Sequence, residues 1–226
     1  QLLSAIADSS EDAIFAKDKE GRYILFNRAA SQFVGKPAAE MLGQDDMAIF
    51  PPEQAKMLME AGHRVIENNR VQTEEEYLTL PGGDRVFLAT KGPLQDNDGQ
   101  VIGIFGISRD ITARRQAEEQ IRKLSRAVEQ SPISVAITDA DGRIEYVNPA
   151  FTKATGYTPE SVIGKNPRLL QSGKTPKATY DAMWQALQNG QPWKGEFINR
   201  RKDGSEYVEF AIVTPLRQAD GSISHY

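Results

Sequence analysis

Few side chains in this sequence have the types and spacing that catalysis demands. The 226 residues hold two histidines, His63 and His225, and no cysteine. Acid-base capacity is therefore small, and thiolate nucleophiles, thiolate metal sites and disulfides are excluded. There is no glycine-rich phosphate loop, no histidine/carboxylate cluster at metal-ligand spacing and no serine in a nucleophile elbow. The run Glu74-Glu75-Glu76 falls on a predicted strand and reads as a solvated edge, lacking the further ligands that would complete a metal site. Met41, Met57 and Met59 read as core filler. Arg109 and Asp110 are candidates for a junctional ion pair, worth about 0 to 1 kcal/mol if exposed. No metal site is expected, and the chain reads as a non-enzymatic module.

The elements that must position any site occur twice. Asp18-Lys-Glu-Gly21-Arg22 followed by Asn27 recurs as Asp139-Ala-Asp-Gly142-Arg143 followed by Asn148, an offset of 121 residues (139 − 18 and 148 − 27). Each copy starts with a short apolar run and returns after the turn with an aromatic strand. A second glycine signal follows, Met41-Leu-Gly43 or Val162-Ile-Gly164. A repeat of this length is a duplicated domain, because solenoid units run about 20 to 50 residues.

Composition agrees. The length suits two domains of roughly 100 to 150 residues. With a net charge of −4 there is no basic field for nucleic acid, and no apolar run approaches the roughly 18 to 20 residues of a membrane span. A cytoplasmic location without membrane contact is expected. Both ends read as cuts: the chain opens on Gln1, and the second copy stops at Tyr226 inside a predicted strand, before its C-terminal end.

The pattern in each copy is two strands, several short helices, then three strands. In the second copy Val135 to Thr138 and Glu145 to Val147 flank a glycine turn. Asn148 can cap a helix starting at Pro149. Thr175 is the expected cap of the main helix, whose Tyr180, Met183, Trp184 and Leu187 recur at i, i+3, i+4 and i+7 and should face a sheet. Strands Trp193 to Arg200 and Tyr207 to Leu216 follow, with Tyr207, Glu209, Ala211 and Val213 on one face. The expected fold class is α+β, two five-stranded antiparallel sheets with helices gathered on one face of each. Between them Ala117, Ile121, Leu124 and Val128 keep a coiled-coil rhythm, with Glu118 facing Arg122 and Glu119 facing Lys123. This amphipathic helix serves either as a dimer seam or as packing against its own domain. The expected boundaries are 1–112, a linker helix at 113–130, and 131–226.

The order of elements, the repeated Asp-x-x-Gly-Arg turn followed by asparagine, and Gly106-Ile-Ser-Arg-Asp110-Ile111-Thr112 leading into a charged helix resemble the PAS sensory domain with its C-terminal PAC motif. The resemblance covers nearly the whole chain in two copies. It implies a small-molecule pocket between helices and sheet, and a signal that leaves through Asp110, Ile111 and Thr112 into the helix carrying Ile121 and Leu124. In the family such signals reach a histidine kinase, a cyclic-di-GMP enzyme or a chemoreceptor. It also implies a homodimer through PAS domains and linker helices, coupled to an output domain of the same polypeptide.

Gly164-Lys-Asn166-Pro167-Arg168-Leu-Leu-Gln171 resembles the flavin-binding segment of light-oxygen-voltage domains, a PAS subgroup. Asn166, Arg168 and Gln171 match its flavin-contacting residues, and Asn199 matches another. Pro167 stands where the photoactive cysteine belongs, and Glu209 where light sensors carry asparagine. Together with Trp184 and Trp193, the stretch is also similar to redox-sensing PAS domains that hold FAD without a cysteine, as in nitrogen-fixation regulators. The resemblance thus implies FAD in the second domain, with an aromatic ring beside the isoalloxazine and an asparagine at its polar edge. The same residues also suit a core and a loop cap, so a ligand-free dimerisation and spacer module is the alternative. Some family members place a haem ligand on the long helix of the first copy, where His63 lies beside the apolar stripe and reads as a surface residue.

Overall fold

The computed structural model describes residues 2–226, with side chains from residue 5 onward. Two compact units meet between Gln120 and Ile121. The first comprises α1 (Leu2–Ser9), β1 (Ala13–Asp18), β2 (Tyr23–Phe26), α2 (Arg28–Val34), α3 (Ala38–Met41), a 3-10 helix (Asp46–Ala48), α4 (Pro52–Asn68), β3 (Gln72–Leu80), β4 (Gly83–Gln95) and β5 (Val101–Asp110). Its antiparallel sheet has the order β2-β1-β5-β4-β3.

Period-two alternation turns Glu76, Leu78 and Leu80 inward on β3. Helix α4 buries Ala55, Leu58, Ala61, Gly62 and Val65, the stripe of a helix packed on a sheet. Met41 is core, as expected, but Met57 faces away from that stripe and is 48 % exposed. The expectation of a solvated acidic edge fails at Glu76, which is buried and paired with buried Lys91. Arg109 and Asp110 do not pair with each other. Neighbours on a strand point to opposite faces, so Arg109 reaches Asp12 and Asp110 reaches Arg85.

Helix α5 (Thr112–Glu129) spans the boundary between the units. The second unit continues with β6 (Ala136–Thr138), β7 (Ile144–Val147), α6 (Pro149–Thr155), α7 (Pro159–Val162), a 3-10 helix (Pro167–Leu170), α8 (Lys177–Gln188), β8 (Trp193–Arg200), β9 (Glu206–Val213), β10 (Leu216–Arg217) and β11 (Ile223–His225). Its antiparallel ladders are interrupted: β6 pairs with β7, β8 with β9, and β10 with β11. The predicted strand from Tyr207 to Leu216 breaks at Thr214-Pro215, because proline has no N–H to donate. Thr138 and Tyr226 exchange backbone hydrogen bonds of 2.9 and 3.0 Å, joining β6 to the end of β11.

The duplication extends to individual hydrogen bonds. Asn27 Oδ1 accepts from Ile14 N and Ala30 N, while its Nδ2 donates to Ala7 O and Asp12 O. Asn148 Oδ1 accepts from Val135 N and Phe151 N, while its Nδ2 donates to Val128 O and Ile133 O. All four partners keep the 121-residue offset (128 − 7 and 135 − 14, for example). One amide thus ties a preceding helix, the first strand and the N-terminus of the next helix, with its own oxygen and nitrogen both paired. The last turn of α5 plays for the second unit the part that α1 plays for the first. The glycine turns repeat as well: Gly43 N donates to Tyr23 O at 2.8 Å and Gly164 N to Ile144 O at 2.7 Å.

Candidate functional site in the second unit

A cavity of about 420 Å³ lies between α8, the 3-10 helix and the inner faces of β8 and β9. It falls within the range of roughly 300 to 1,000 Å³ of small-molecule sites. Asn166, Arg168, Gln171, Trp184, Asn199 and Glu209, far apart in sequence, all line it.

Each side chain arrives by a local rule. Asn166 caps the 3-10 helix through its Oδ1, which accepts from Arg168 N at 3.0 Å, so the cap reading of this residue and its place on the cavity wall coexist. Gln171 is held beside the sheet by a bridge to Asn199. On β8, alternation puts Trp193, Phe197 and Asn199 on the inner face opposite Val213, Glu209 and Tyr207. Thr175 does not cap α8. Its hydroxyl accepts from Ile198 N at 2.8 Å, pinning the start of the helix to β8, and α8 has no side-chain cap. The stripe of Tyr180, Met183, Trp184 and Leu187 faces the sheet, as its spacing predicts, and all four side chains line the cavity.

The aromatic wall was only partly foreseen. Tyr180 stacks on Phe197 at 5.4 Å, Trp193 lies 5.0 Å from Phe197, and Trp184 meets Tyr226 edge-on at 5.8 Å. Phe197 and Tyr226 were missed as site residues; for Phe197 the signal was its two-residue spacing from Asn199.

Asn199 is 6 % exposed and donates Nδ2 to Glu209 Oε2 at 2.8 Å. Burial pushes the Glu209 carboxyl above the ordinary carboxylate range, with the Asn199 amide acting the other way. Burial beside Glu209 also pushes the Tyr207 phenol up to about 12. Among the cavity-lining residues only Arg168 and Glu209 are of charged type.

The centre of the first unit is packed with a different kind of side chain. Its interior holds Lys17 and Asp46, 5 % and 1 % exposed and joined at 2.5 Å, with the Tyr23 hydroxyl donating to Asp46 at 2.6 Å. Burial pulls the Lys17 ammonium below its ordinary range against the opposing pull of Asp46. The gap left beside them, near His63, measures about 10 Å³, room for one water at most and none for a haem.

The junction between the first sheet and α5 explains the Asp110-Ile111-Thr112 motif. Asp110 accepts from Arg85 at 2.5 Å and from Thr112 N at 2.8 Å, while Thr112 Oγ1 accepts from Val86 N at 2.9 Å. Burial disfavours the charged Asp110, but the bonds from Thr112 and Arg85 outweigh it and hold its carboxyl below the usual range. At the far end of the helix Tyr146 donates its hydroxyl to Glu129 at 2.7 Å. Between these anchors Ile121 and Leu124 are each 68 % exposed, and Glu118 pairs with Arg114 at 2.8 Å rather than with Arg122.

Two α+β units on one hydrogen-bonding plan define a duplicated domain fold. Residues 7–116 match the family described as the PAS fold and residues 132–226 the family described as the PAS domain. The chain belongs to the PAS family as two PAS domains in tandem.

Its relatives include regulators. A nitrogen fixation regulatory protein of Klebsiella oxytoca is 43 % identical over 99 residues, 44 % of this chain and 20 % of that protein. The methanogenesis regulatory histidine kinase FilI of Methanothrix harundinacea is 36 % identical over 126 residues, 56 % of this chain and 14 % of that protein. Phototropin-1A of Oryza sativa subsp. japonica is 26 % identical over 211 residues, 92 % of this chain and 22 % of that protein. The chain therefore spans about a fifth or less of these relatives. Among solved structures, the PAS domain of Bordetella pertussis BvgS aligns with 56 % of this chain and 96 % of its own, at 26 % identity and a TM-score of 0.47. Among the described residues no helix is long and apolar enough to cross a membrane, and no cluster suits a metal ion.

Proposed function

We propose that this chain is a sensory input module of a signalling protein, in which the second PAS domain binds a small ligand, with FAD as the candidate, and the first serves as a relay. The cavity of about 420 Å³ in one unit, set against the filled interior of the other, carries this reading. The residues present fit a flavin chemically. Asn166, Gln171 and Asn199 offer amide donors and acceptors, Arg168 offers a cation, and Tyr180, Phe197 and Trp184 offer ring faces. Bound FAD would supply a redox or light-driven change of state. With Pro167 at the position of the reactive cysteine, no thiol is available for a covalent adduct.

A ligand shifts a domain only through different affinity for two of its arrangements. Helix α5 is the element that would carry the difference: its first turn is bonded to β4 and β5, its last to Asn148 and Tyr146, and its apolar stripe is free to pair in a homodimer. A histidine kinase or a cyclic-di-GMP enzyme on the same polypeptide would be the output, and the fragment itself would catalyse nothing. The competing reading is a ligand-free dimerisation and spacer module, which the filled first unit favours for that half. An absorption spectrum of freshly purified protein, with mass spectrometry of what denaturation releases, separates them. Flavin bands and released FAD support the sensor. A colourless protein that takes up no added FAD rules the flavin out.

A further inference from the structure

Strand β3 lies at the edge of the first unit's sheet, and alternation turns the backbone groups of Thr73, Glu75, Tyr77 and Thr79 outward, away from β4. Two of those groups are closed by one side chain. Gln54, in the first turn of α4, donates Nε2 to Tyr77 O at 3.0 Å and accepts from Thr79 N at 3.1 Å with Oε1, as a neighbouring strand would. Among the described residues no backbone hydrogen bond reaches the outward groups of Thr73 or Glu75. The second unit closes the equivalent position by other means. Val86 and Val208, 122 residues apart (208 − 86), set Tyr77 against Ile198 through the two hairpin registers. There Ile198 O accepts from the hydroxyls of Ser172 and Thr175, and Ile198 N donates to Thr175. Two unrelated devices at one edge position mark it as an edge that pairs when left bare.

We infer that β3 is a self-pairing edge held shut by Gln54, and that the released edge takes β3 of a second copy of this chain, antiparallel across a two-fold axis with Tyr77 opposite its own counterpart. In this register Tyr77 exchanges hydrogen bonds with its counterpart, and Glu75 of each copy with Thr79 of the other, so the pairing uses the two groups that Gln54 covers. The register also suits the charges. Glu74, Glu75 and Glu76 fall opposite Leu80, Thr79 and Leu78, so no carboxylate meets another, and Glu75 and Glu76 already hold Arg115 and Lys91 within their own copy. Tyr77, 63 % exposed, gains the facing ring as a cross-strand neighbour. Because Gln54 belongs to α4, a shift of that helix away from β3 opens the latch.

The test uses the whole chain in an Ile121→Glu, Leu124→Glu background, to suppress association through α5, and adds Gln54→Ala alone or together with Tyr77→Pro. Proline at position 77 removes the outward N–H and leaves the ladder to β4 its hydrogen bonds. Light scattering from about 10 μM to about 1 mM should show the mass of the Gln54→Ala protein about doubling as concentration rises. The background protein and the combination with Tyr77→Pro should show no such rise. By hydrogen exchange, the Thr79 amide of the Gln54→Ala protein should exchange about fivefold faster when dilute and regain protection when concentrated. A Gln54→Ala mass that never exceeds the background, or association that survives Tyr77→Pro, overturns the inference. Unfolding does not imitate the expected result, since a second destabilising change increases aggregation and does not reverse it.

Discussion

The two units share their backbone plan and differ in what they place inside it. Positions that carry Lys17, Tyr23 and Asp46 in the first unit carry Thr138, Ile144 and Pro167 in the second, all at the 121-residue offset. Aligning Pro93 with Pro215, an offset of 122 (215 − 93), sets Lys91 against Val213 and Phe87 against Glu209. The hairpin registers then set Glu76 against Phe197 and Leu78 against Asn199. The first unit fills its centre with charged pairs and Phe87. At these positions the second has neutral side chains apart from Glu209, with Asn199 as the one amide, and Phe197, Asn199, Glu209 and Val213 line a cavity. Buried ion pairs contribute little net stability against apolar replacements, yet breaking one is costly. In this scaffold the charged pairs occupy the centre of the first unit.

Substitutions can break this comparison. The largest effect should come from Asp46→Ala, which strands both Lys17 and the Tyr23 hydroxyl. Chemical denaturation should show a loss of about 3 to 5 kcal/mol in the first unit, whereas Lys17→Met combined with Asp46→Leu should cost far less. A loss below about 1 kcal/mol in Asp46→Ala would remove the ion pair from the account.

Next in size are Asn27→Ala and Asn148→Ala, each expected to cost its own unit about 2 to 3 kcal/mol through lost caps and orphaned backbone groups. Asn148→Ala should also speed amide exchange in the last turn of α5, and unchanged exchange there would detach the helix from the second unit.

A smaller change is expected of Glu209→Gln. Because the folded carboxyl titrates above its unfolded value, its stabilising contribution is present below the unfolded value and fades as pH rises through the folded one. Glu209→Gln should therefore gain about 0.5 to 1 kcal/mol over wild type near pH 8. The gain should vanish in acid, and equal pH dependence in both proteins would contradict the assignment.

Ile121→Glu with Leu124→Glu should move the fold stability by less than about 0.5 kcal/mol, since both side chains are exposed. Self-association should weaken, and an unchanged mass by light scattering would count against the helical seam.

The scaffold was legible because turn chemistry is local. Asp18 and Asp139 each accept from the backbone N of the arginine four residues on, at 2.8 and 2.7 Å, and glycines at φ 82° and 76° close both turns. The candidate site was legible as separate motifs that the fold brings onto one cavity. The buried charges were hidden because Glu74-Glu75-Glu76 looks uniformly polar as a run, and only the alternation Glu76, Leu78, Leu80 shows which carboxylate turns inward. Thr175 misled for a related reason: its hydroxyl serves the backbone of Ile198 on a strand that is distant in sequence. The supposed pairing of Arg109 with Asp110 ignored the two faces of a strand.

The claim that one unit binds and the other does not is tested most directly by FAD stoichiometry on the intact chain. Titration calorimetry should give about one FAD per wild-type chain, no uptake in Asn199→Ala or Trp184→Ala, and unchanged uptake in the Lys17→Met, Asp46→Leu variant. Two FAD per chain, or full uptake surviving both second-unit substitutions, would contradict the account.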